Sequence, residues 1–212
     1  SWGVSTRLIG TLLMAHGDDD GAVMPPRVAA TQVVILPVIP KEEHREAVIA
    51  ACDKLAGELK AQSFHGDALR VEVDARDLGG GVKNWEWIKK GAPVRVEIGP
   101  RDLEKGSVAV ARRDKAPRDK EFIDAGEAAA SMPDRLQEIQ DGLLERARAF
   151  RREHTVEIDS MDAFREFFTP KNTDKPEIHA GFALGHWAGS AEDEEAMQKE
   201  YKVTIRCIPS DA

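Results

Sequence analysis

A short apolar run, Gln32-Val33-Val34-Ile35-Leu36-Pro37-Val38, is the feature that most restricts how this chain can fold. Its length and unbroken apolar character are those of a buried strand. The residues that follow change period. From Lys41 to Ser63, Val48, Cys52, Leu55 and Leu59 fall at helical spacing, with acids at the start and Lys60 near the end, the polarity a helix dipole favours. Leu69-Arg70-Val71-Glu72-Val73 and Val94-Arg95-Val96-Glu97-Ile98 alternate as half-buried strands do, and Ser107-Val108-Ala109-Val110-Ala111 is a further strand candidate. Strand, helix, strand, short helix, strand, strand predicts a layered α/β structure.

Two flanking pieces complete the chain. Residues 1–27 begin with an apolar run (Val4, Leu8, Ile9, Leu12, Leu13, Met14) that closes in the polar turn His16-Gly17-Asp18-Asp19-Asp20-Gly21, before Pro25-Pro26 marks a boundary. The three aspartates lack further ligands at calcium-loop spacing, which predicts a solvated loop. After Pro133, Asp134 to Arg152 carries Leu136, Ile139, Leu143, Ala147 and Phe150 on one helical stripe. Asp159-Ser160 is a cap for a second helix with Met161, Phe164, Phe167 and Phe168. Gly181 to Leu184 and Val203 to Arg206 read as strands around an acidic helix, Ala191 to Glu200, past the polar loop Thr169 to Pro176.

Composition narrows the function classes. With 32% charged and 42% apolar residues the chain is globular, and no apolar run approaches the ~20 residues a membrane span needs. Two cysteines, Cys52 and Cys207, make no disulfide framework. A start at Ser1 without initiator Met or signal core suggests a portion of a longer polypeptide. Charge is uneven: residues 81–120 carry eleven Lys/Arg against six acids, +5, while the rest carries −13 to give the formal −8. Screening confines such a basic segment to a local patch, which can still attract a polyanion.

No nucleophile elbow, Walker loop, zinc-protease or dinucleotide fingerprint is present, and Gly79-Gly80-Gly81 reads as a flexible turn. The strongest pattern is the mixed-sign string Asp74-Ala75-Arg76-Asp77, Lys83-Asn84-Trp85-Glu86-Trp87, Lys90-Gly91-Ala92-Pro93 and Glu97-Ile98-Gly99-Pro100-Arg101-Asp102. Ser1-Trp2-Gly3-Val4-Ser5-Thr6-Arg7-Leu8-Ile9-Gly10 precedes it, with His16-Gly17-Asp18-Asp19 and Leu36-Pro37 between, and Thr204-Ile205-Arg206-Cys207-Ile208-Pro209 follows. Together these segments resemble the C-terminal part of class II prolyl-tRNA synthetases of the archaeal and eukaryote-like type, from the third class II motif onward.

The resemblance implies an α/β fold: a mixed-sheet anticodon-binding domain over 28–130. It is flanked by a strand-plus-helix remnant of the catalytic domain over 1–27 and a small, truncated α+β domain over 131–212. It implies ligation of proline to its tRNA through a prolyl-adenylate, with ATP and magnesium in the full enzyme and this chain alone inactive. Arg7 is then the catalytic arginine against ATP with Ser5 beside it, and Trp2 and Gly3 lie at the substrate pocket. Arg76, Lys83, Glu86, Lys90, Glu97, Arg101 and Asp102 are the expected anticodon and tRNA contacts. Implied partners are proline tRNA, ATP and proline, in a cytoplasmic homodimer of the full-length protein without membrane contact. Where relatives carry zinc-binding cysteines, Ala188 and Asp193 stand here, so that no zinc is expected even with Cys207, and His186 reads as a surface or packed residue. The alternative is a non-catalytic anticodon-domain-like protein that binds RNA or a partner.

The chemistry of the expected contacts is coherent. The proline anticodon ends in two guanines, whose Watson–Crick edges present N–H donors and whose O6 and N7 accept. A carboxylate suits the former and Arg or Lys the latter. Trp85 and Trp87, two residues apart on a short helix, cannot both face RNA, and Trp87 is the better core candidate.

Overall fold

The computed structural model describes residues 3–170 and 181–206. Helix α1 (Arg7–His16) precedes β1 (Val33–Pro37) and α2 (Arg45–Lys60). The short hairpin β2 (Ser63–Phe64) and β3 (Asp67–Ala68) leads to β4 (Val71–Val73), α3 (Gly80–Lys90) and β5 (Val94–Ile98). Then come α4 (Pro100–Lys105), β6 (Ser107–Arg112), β7 (Lys120–Asp124) and α5 (Ala128–Glu153). The last elements are β8 (Thr155–Glu157), α6 (Met161–Phe168), β9 (Phe182–Leu184) and α7 (Ala191–Tyr201). The chain forms two units, Ser1–Ala147 and Arg148–Ala212, divided within α5.

In the first unit five strands make one sheet in the order β4-β1-β5-β6-β7. β4, β1 and β5 run parallel and β6 and β7 are joined antiparallel, giving the mixed sheet expected. β1 lies between two parallel neighbours, so all five of its residues are buried and its sequence does not alternate. One sheet face, with Ile35, Val96 and Val110, shares the main core with Val48 and Leu59 of α2 and Met132 of α5. On the other face Val34 and Leu36 pack with Trp87 of α3 and with Ala92. In the second unit β8 and β9 pair in parallel. Ser160 caps α6 by accepting from the Ala163 amide at 3.2 Å, as the sequence predicts.

Several expectations are corrected. The long helix begins at Ala128 rather than after Pro133. Pro133 gives up one backbone hydrogen bond, but Ala128 and Met132 are fully buried and their packing holds the extra turn. Residues 3–6 form no strand, so the first segment contributes its helix alone, and Val203 to Arg206 form none either. Neither segment has a ladder partner among the described residues, and the Ser5 and Thr6 carbonyls instead accept from the Leu8 and Ile9 amides at 3.1 Å as α1 begins. The glycine run is not a loose turn: Gly79 is the N-cap of α3, and Gly80 and Gly81 lie in its first turn. β7 escapes the periodicity because Lys120-Glu121-Phe122-Ile123-Asp124 is a charged edge strand with only Ile123 half-buried.

Candidate nucleic-acid interface

Asp74, one residue past β4, is the hub of the α3 side of the first unit. Its side chain is buried, yet it accepts from Arg76 Nε at 2.8 Å, Arg76 Nη2 at 2.7 Å and Trp87 Nε1 at 2.8 Å. The Arg76 guanidinium, helped by the indole N–H, holds the Asp74 carboxyl well below the usual carboxylate range despite the opposing effect of burial. Arg76 Nη2 also reaches Glu86 Oε2 at 2.8 Å across from α3. Arg76 remains 47% exposed and Glu86 35%. Its Nη1 and the second Glu86 oxygen make no hydrogen bond within this group, which leaves a donor and an acceptor uncommitted on two partly exposed side chains.

The remaining predicted contacts separate by environment. Lys83 is 4% exposed, and its ammonium donates to the carbonyls of Asp74 (3.2 Å) and Pro37 (3.5 Å) inside the structure. Lys90 is exposed and lies 4.2 Å over the Trp87 ring. Trp87 is buried and Trp85 is 44% exposed, the division their spacing requires. Glu97 on β5 accepts from Lys120 Nζ at 2.6 Å. Asp102 accepts from the Gly99 amide at 2.9 Å and so caps α4, while Arg101 beside it points a charged side chain to solvent. Arg76 and Glu86 are thus brought into contact; Glu97 is committed to Lys120 and Lys83 to the backbone.

Arg95, which the alternation of its strand would leave at the surface to pair with Glu97, is instead enclosed, and Glu97 pairs with Lys120. Arg95 is 1% exposed in β5, donates through Nε to Asn84 Oδ1 at 2.7 Å, and leaves both Nη groups without a hydrogen-bond partner among the described residues. Burial, with the like charge of Arg113, pushes its pKa down to about 10. The available signal was an arginine between Val94 and Val96 in a strand destined for the middle of a sheet, where an unpaired charge is costly.

The first segment is fastened to this side of the unit. Asp18 is not merely solvated: Arg113, 3% exposed, donates to its two oxygens at 2.5 and 2.8 Å and to the Ile88 carbonyl at 3.0 Å. The Ala22 and Met24 amides donate to the Lys89 and Gly91 carbonyls at 3.1 and 3.2 Å. Gly91, at φ 76°, has no room for a side chain, since a Cβ there would lie 2.6 Å from the Ala22 carbonyl oxygen. Arg7, Ser5 and Gly3 are exposed at the start of α1, while Trp2 lies outside the described residues. Cys207 lies outside them too, Asp193 caps α7 through the Ser190 amide at 2.8 Å, and His186 is exposed. The described residues gather no group of three His, Cys, Asp or Glu that could hold a metal.

Residues 32–134 match the family model described as an anticodon binding domain. Over 99% of its length the chain is 54% identical to proline–tRNA ligase 2 of Anaeromyxobacter dehalogenans, covering 42% of that protein. It is 53% identical over 99% of its length to the proline–tRNA ligase of Akkermansia muciniphila, covering 40% of it. The Protochlamydia amoebophila ligase is 48% identical over 99% of this chain, which covers 41% of it. The chain therefore spans about two-fifths of the length of the curated relatives it matches. Residues 32–134 are thus similar to anticodon-binding domains, within a chain that is similar from end to end to proline–tRNA ligases.

Proposed function

We propose that this chain is the tRNA-reading part of a proline–tRNA ligase of the archaeal and eukaryote-like type, with residues 28–130 reading the anticodon. In this reading residues 1–27 end the catalytic domain at its third motif and 131–212 lead into the small C-terminal domain, with the α5 residues up to Ala147 packed in the first unit. The observation that carries the base-reading assignment is the Arg76–Glu86 pair. A guanine edge needs an acceptor for its N–H groups and a donor for O6 or N7, and the pair offers both, 2.8 Å apart and pre-oriented by buried Asp74. Lys90, Arg101 and Arg118, all exposed, supply backbone charge contacts around it. Lys83 serves by holding the Asp74 and Pro37 backbone together rather than by touching RNA. Glu97 and Asp102 act through Lys120 and through the cap of α4.

In the intact ligase, Arg7 at the exposed start of α1 would lie against the phosphates of ATP, with Ser5 beside it and Gly3 and Trp2 toward proline. ATP with its magnesium supplies the activated phosphate on which proline's carboxylate is made reactive. A guanidinium, always protonated, suits the negative charge that accumulates there. The whole enzyme would work as a cytoplasmic homodimer on proline tRNA. Arg7→Ala in the intact ligase should cost ~2.7–4 kcal/mol of transition-state stabilisation, by analogy with the loss of one oxyanion donor. Aminoacylation within threefold of wild type would remove Arg7 from the site.

The anticodon assignment is tested by titrating the 212-residue chain with a proline anticodon stem-loop whose two guanines are intact or replaced. Arg76→Ala and Glu86→Gln should each erase roughly 1–3 kcal/mol of that discrimination. Arg118→Ala should weaken every stem-loop alike and reduce the salt slope by about 0.7. Equal binding of both stem-loops by wild type would overturn the reading.

A further inference from the structure

β7 ends the five-stranded sheet, and β6 is its only ladder partner among the described residues. One hydrogen bond fixes which of its main-chain groups that ladder uses. The Ala125 amide donates to the Gly106 carbonyl at 2.8 Å, directly beyond the paired residues Ser107 and Asp124. Bonded and non-bonded pairs alternate along an antiparallel ladder, so Ile123 with Val108 and Glu121 with Val110 are bonded pairs. The amides and carbonyls of Lys120, Phe122 and Asp124 therefore turn away from β6, toward the open edge. Of these groups only the Asp124 carbonyl has a partner among the described residues, the Glu127 amide at 3.2 Å.

An open edge is a template for a further strand, and charged side chains usually guard it. On β7 the charges are placed so that one alignment escapes the repulsion. Lys120 begins the strand, Asp124 ends it, and Phe122 lies midway. A second copy laid antiparallel about a two-fold axis at Phe122 sets Lys120 opposite the partner's Asp124 at both ends, and Phe122 opposite the partner's Phe122. These three residues own the outward main-chain groups, so the same alignment lets the two strands exchange hydrogen bonds. Sliding the copy by one residue brings outward groups against inward ones. Sliding it by two sets Phe122 opposite a charged side chain, Lys120 or Asp124. At the axis the two phenyl rings are cross-strand neighbours with Cβ atoms ~5.5 Å apart, within the range of aromatic pairing. Lys120 makes one ion pair among the described residues, 2.6 Å to Glu97 Oε2, and at 32% exposure its flexible stem can turn to the edge.

We infer that β7 is an interface between two copies of this chain, in which the edge strands pair antiparallel about a two-fold axis at Phe122 and join two five-stranded sheets into one. The occupant is a second copy because the complementarity is internal to Lys120-Glu121-Phe122-Ile123-Asp124, whose two ends carry opposite charge about an apolar centre. Nothing on the other sheet face has to move. Glu121 stays 2.6 Å from Arg135 of α5, and Ile123 stays against the main core. A five-residue strand makes a small contact, so the association is weak and depends on protein concentration. It is independent of the RNA-reading assignment above.

The test is sedimentation of the 212-residue chain over a rising concentration series, in which a monomer should pass into a dimer. Phe122→Pro removes the ring and an amide that faces outward while sparing the β6 ladder, and should abolish the dimer. Phe122→Ala keeps that amide and should weaken association about fivefold. Asp124→Lys and Lys120→Asp each set like charges opposite one another at both ends, and each alone should weaken association by about tenfold or more. Mixed in equal amounts, these two variants should form a heterodimer, because the reversed charges then meet across the axis. That recovery also shows both variants to be folded, so the outcome does not depend on how well Phe122→Pro folds. A chain that stays monomeric at every concentration overturns the interface. So does a dimer indifferent to Phe122→Pro, a pair of charge variants that each dimerise like wild type, or a mixture of the two that fails to associate.

Discussion

Helices α1 and α3 are of nearly equal length and have opposite fates. α1, Arg7-Leu8-Ile9-Gly10-Thr11-Leu12-Leu13-Met14-Ala15-His16, is the more apolar, yet it buries no residue, and Ile9 and Met14 are 64% and 82% exposed. α3 contains Lys83, Asn84, Glu86, Lys89 and Lys90, and buries Trp87, Ile88 and even Lys83. The difference lies in what stands opposite. α3 has β1 beneath it, a buried carboxylate at Asp74 to receive its indole and two backbone carbonyls to receive its ammonium. α1 has nothing comparable among the described residues. Burial follows from a partner surface, and apolar character only makes a helix ready for one.

That comparison can be broken most directly at Trp87. Trp87→Ala removes a buried indole and leaves Asp74 short of one donor, and should cost about 3–5 kcal/mol in urea unfolding of the whole chain. A loss below 1 kcal/mol would mean that α3 is held chiefly by its polar contacts. Arg113→Ala comes next, at about 2–3 kcal/mol, because the buried guanidinium holds both Asp18 oxygens and the Ile88 carbonyl at the end of α3. Arg113→Lys should recover only part of this, since an ammonium cannot form the fork.

The same contacts set an acid limb. The Arg76 guanidinium lowers Asp74, and the Arg113 guanidinium lowers Asp18. A carboxyl lowered in the folded state contributes stability that is present above its unfolded value, about 3.9, and is lost as the pH falls through the folded value. Melting temperature should therefore be flat between pH 7 and 5 with respect to these groups and decline below about pH 4. Asp18→Asn should make that decline shallower, and an unchanged slope would remove Asp18 from the acid limb. The smallest effect belongs to α1. Ile9→Ser should change stability by no more than about 0.5 kcal/mol. A loss above 2 kcal/mol would show that the apolar face of α1 is covered in solution.

Legibility in the sequence followed how locally each feature is encoded. β1 and β6 announce themselves as short apolar runs, α2 and β5 through periodicity, and the Ser160 cap through one side chain bonding three residues ahead. Edge strand β7 was not legible, because its alternation is diluted by charge. The early start of α5 was not legible either, because Pro133 is a local stop that buried Ala128 and Met132 outweigh. Within the site, Arg76 and Glu86 stood out as a mixed-sign cluster, whereas Asp74 gave no sign of being its buried centre.

The order of apolar and polar residues by itself determined that this chain is α/β, where most of its strands and helices lie, and that its basic charge gathers between residues 81 and 120. These are local properties, decided within a few residues by backbone geometry and side-chain period. Only the tertiary structure decided which charges are spent. Lys83 and Glu97 are committed to partners 46 and 23 residues away, and Arg76, still 47% exposed, is held by Asp74 and Glu86. It also decided that a strand arginine is buried with two open N–H groups and that a phenyl ring stands exposed on the same sheet face. Spacing along a chain sets the direction of a side chain on its own element, but whether it meets water, a carboxylate or a backbone carbonyl depends on which distant segment the packing brings opposite.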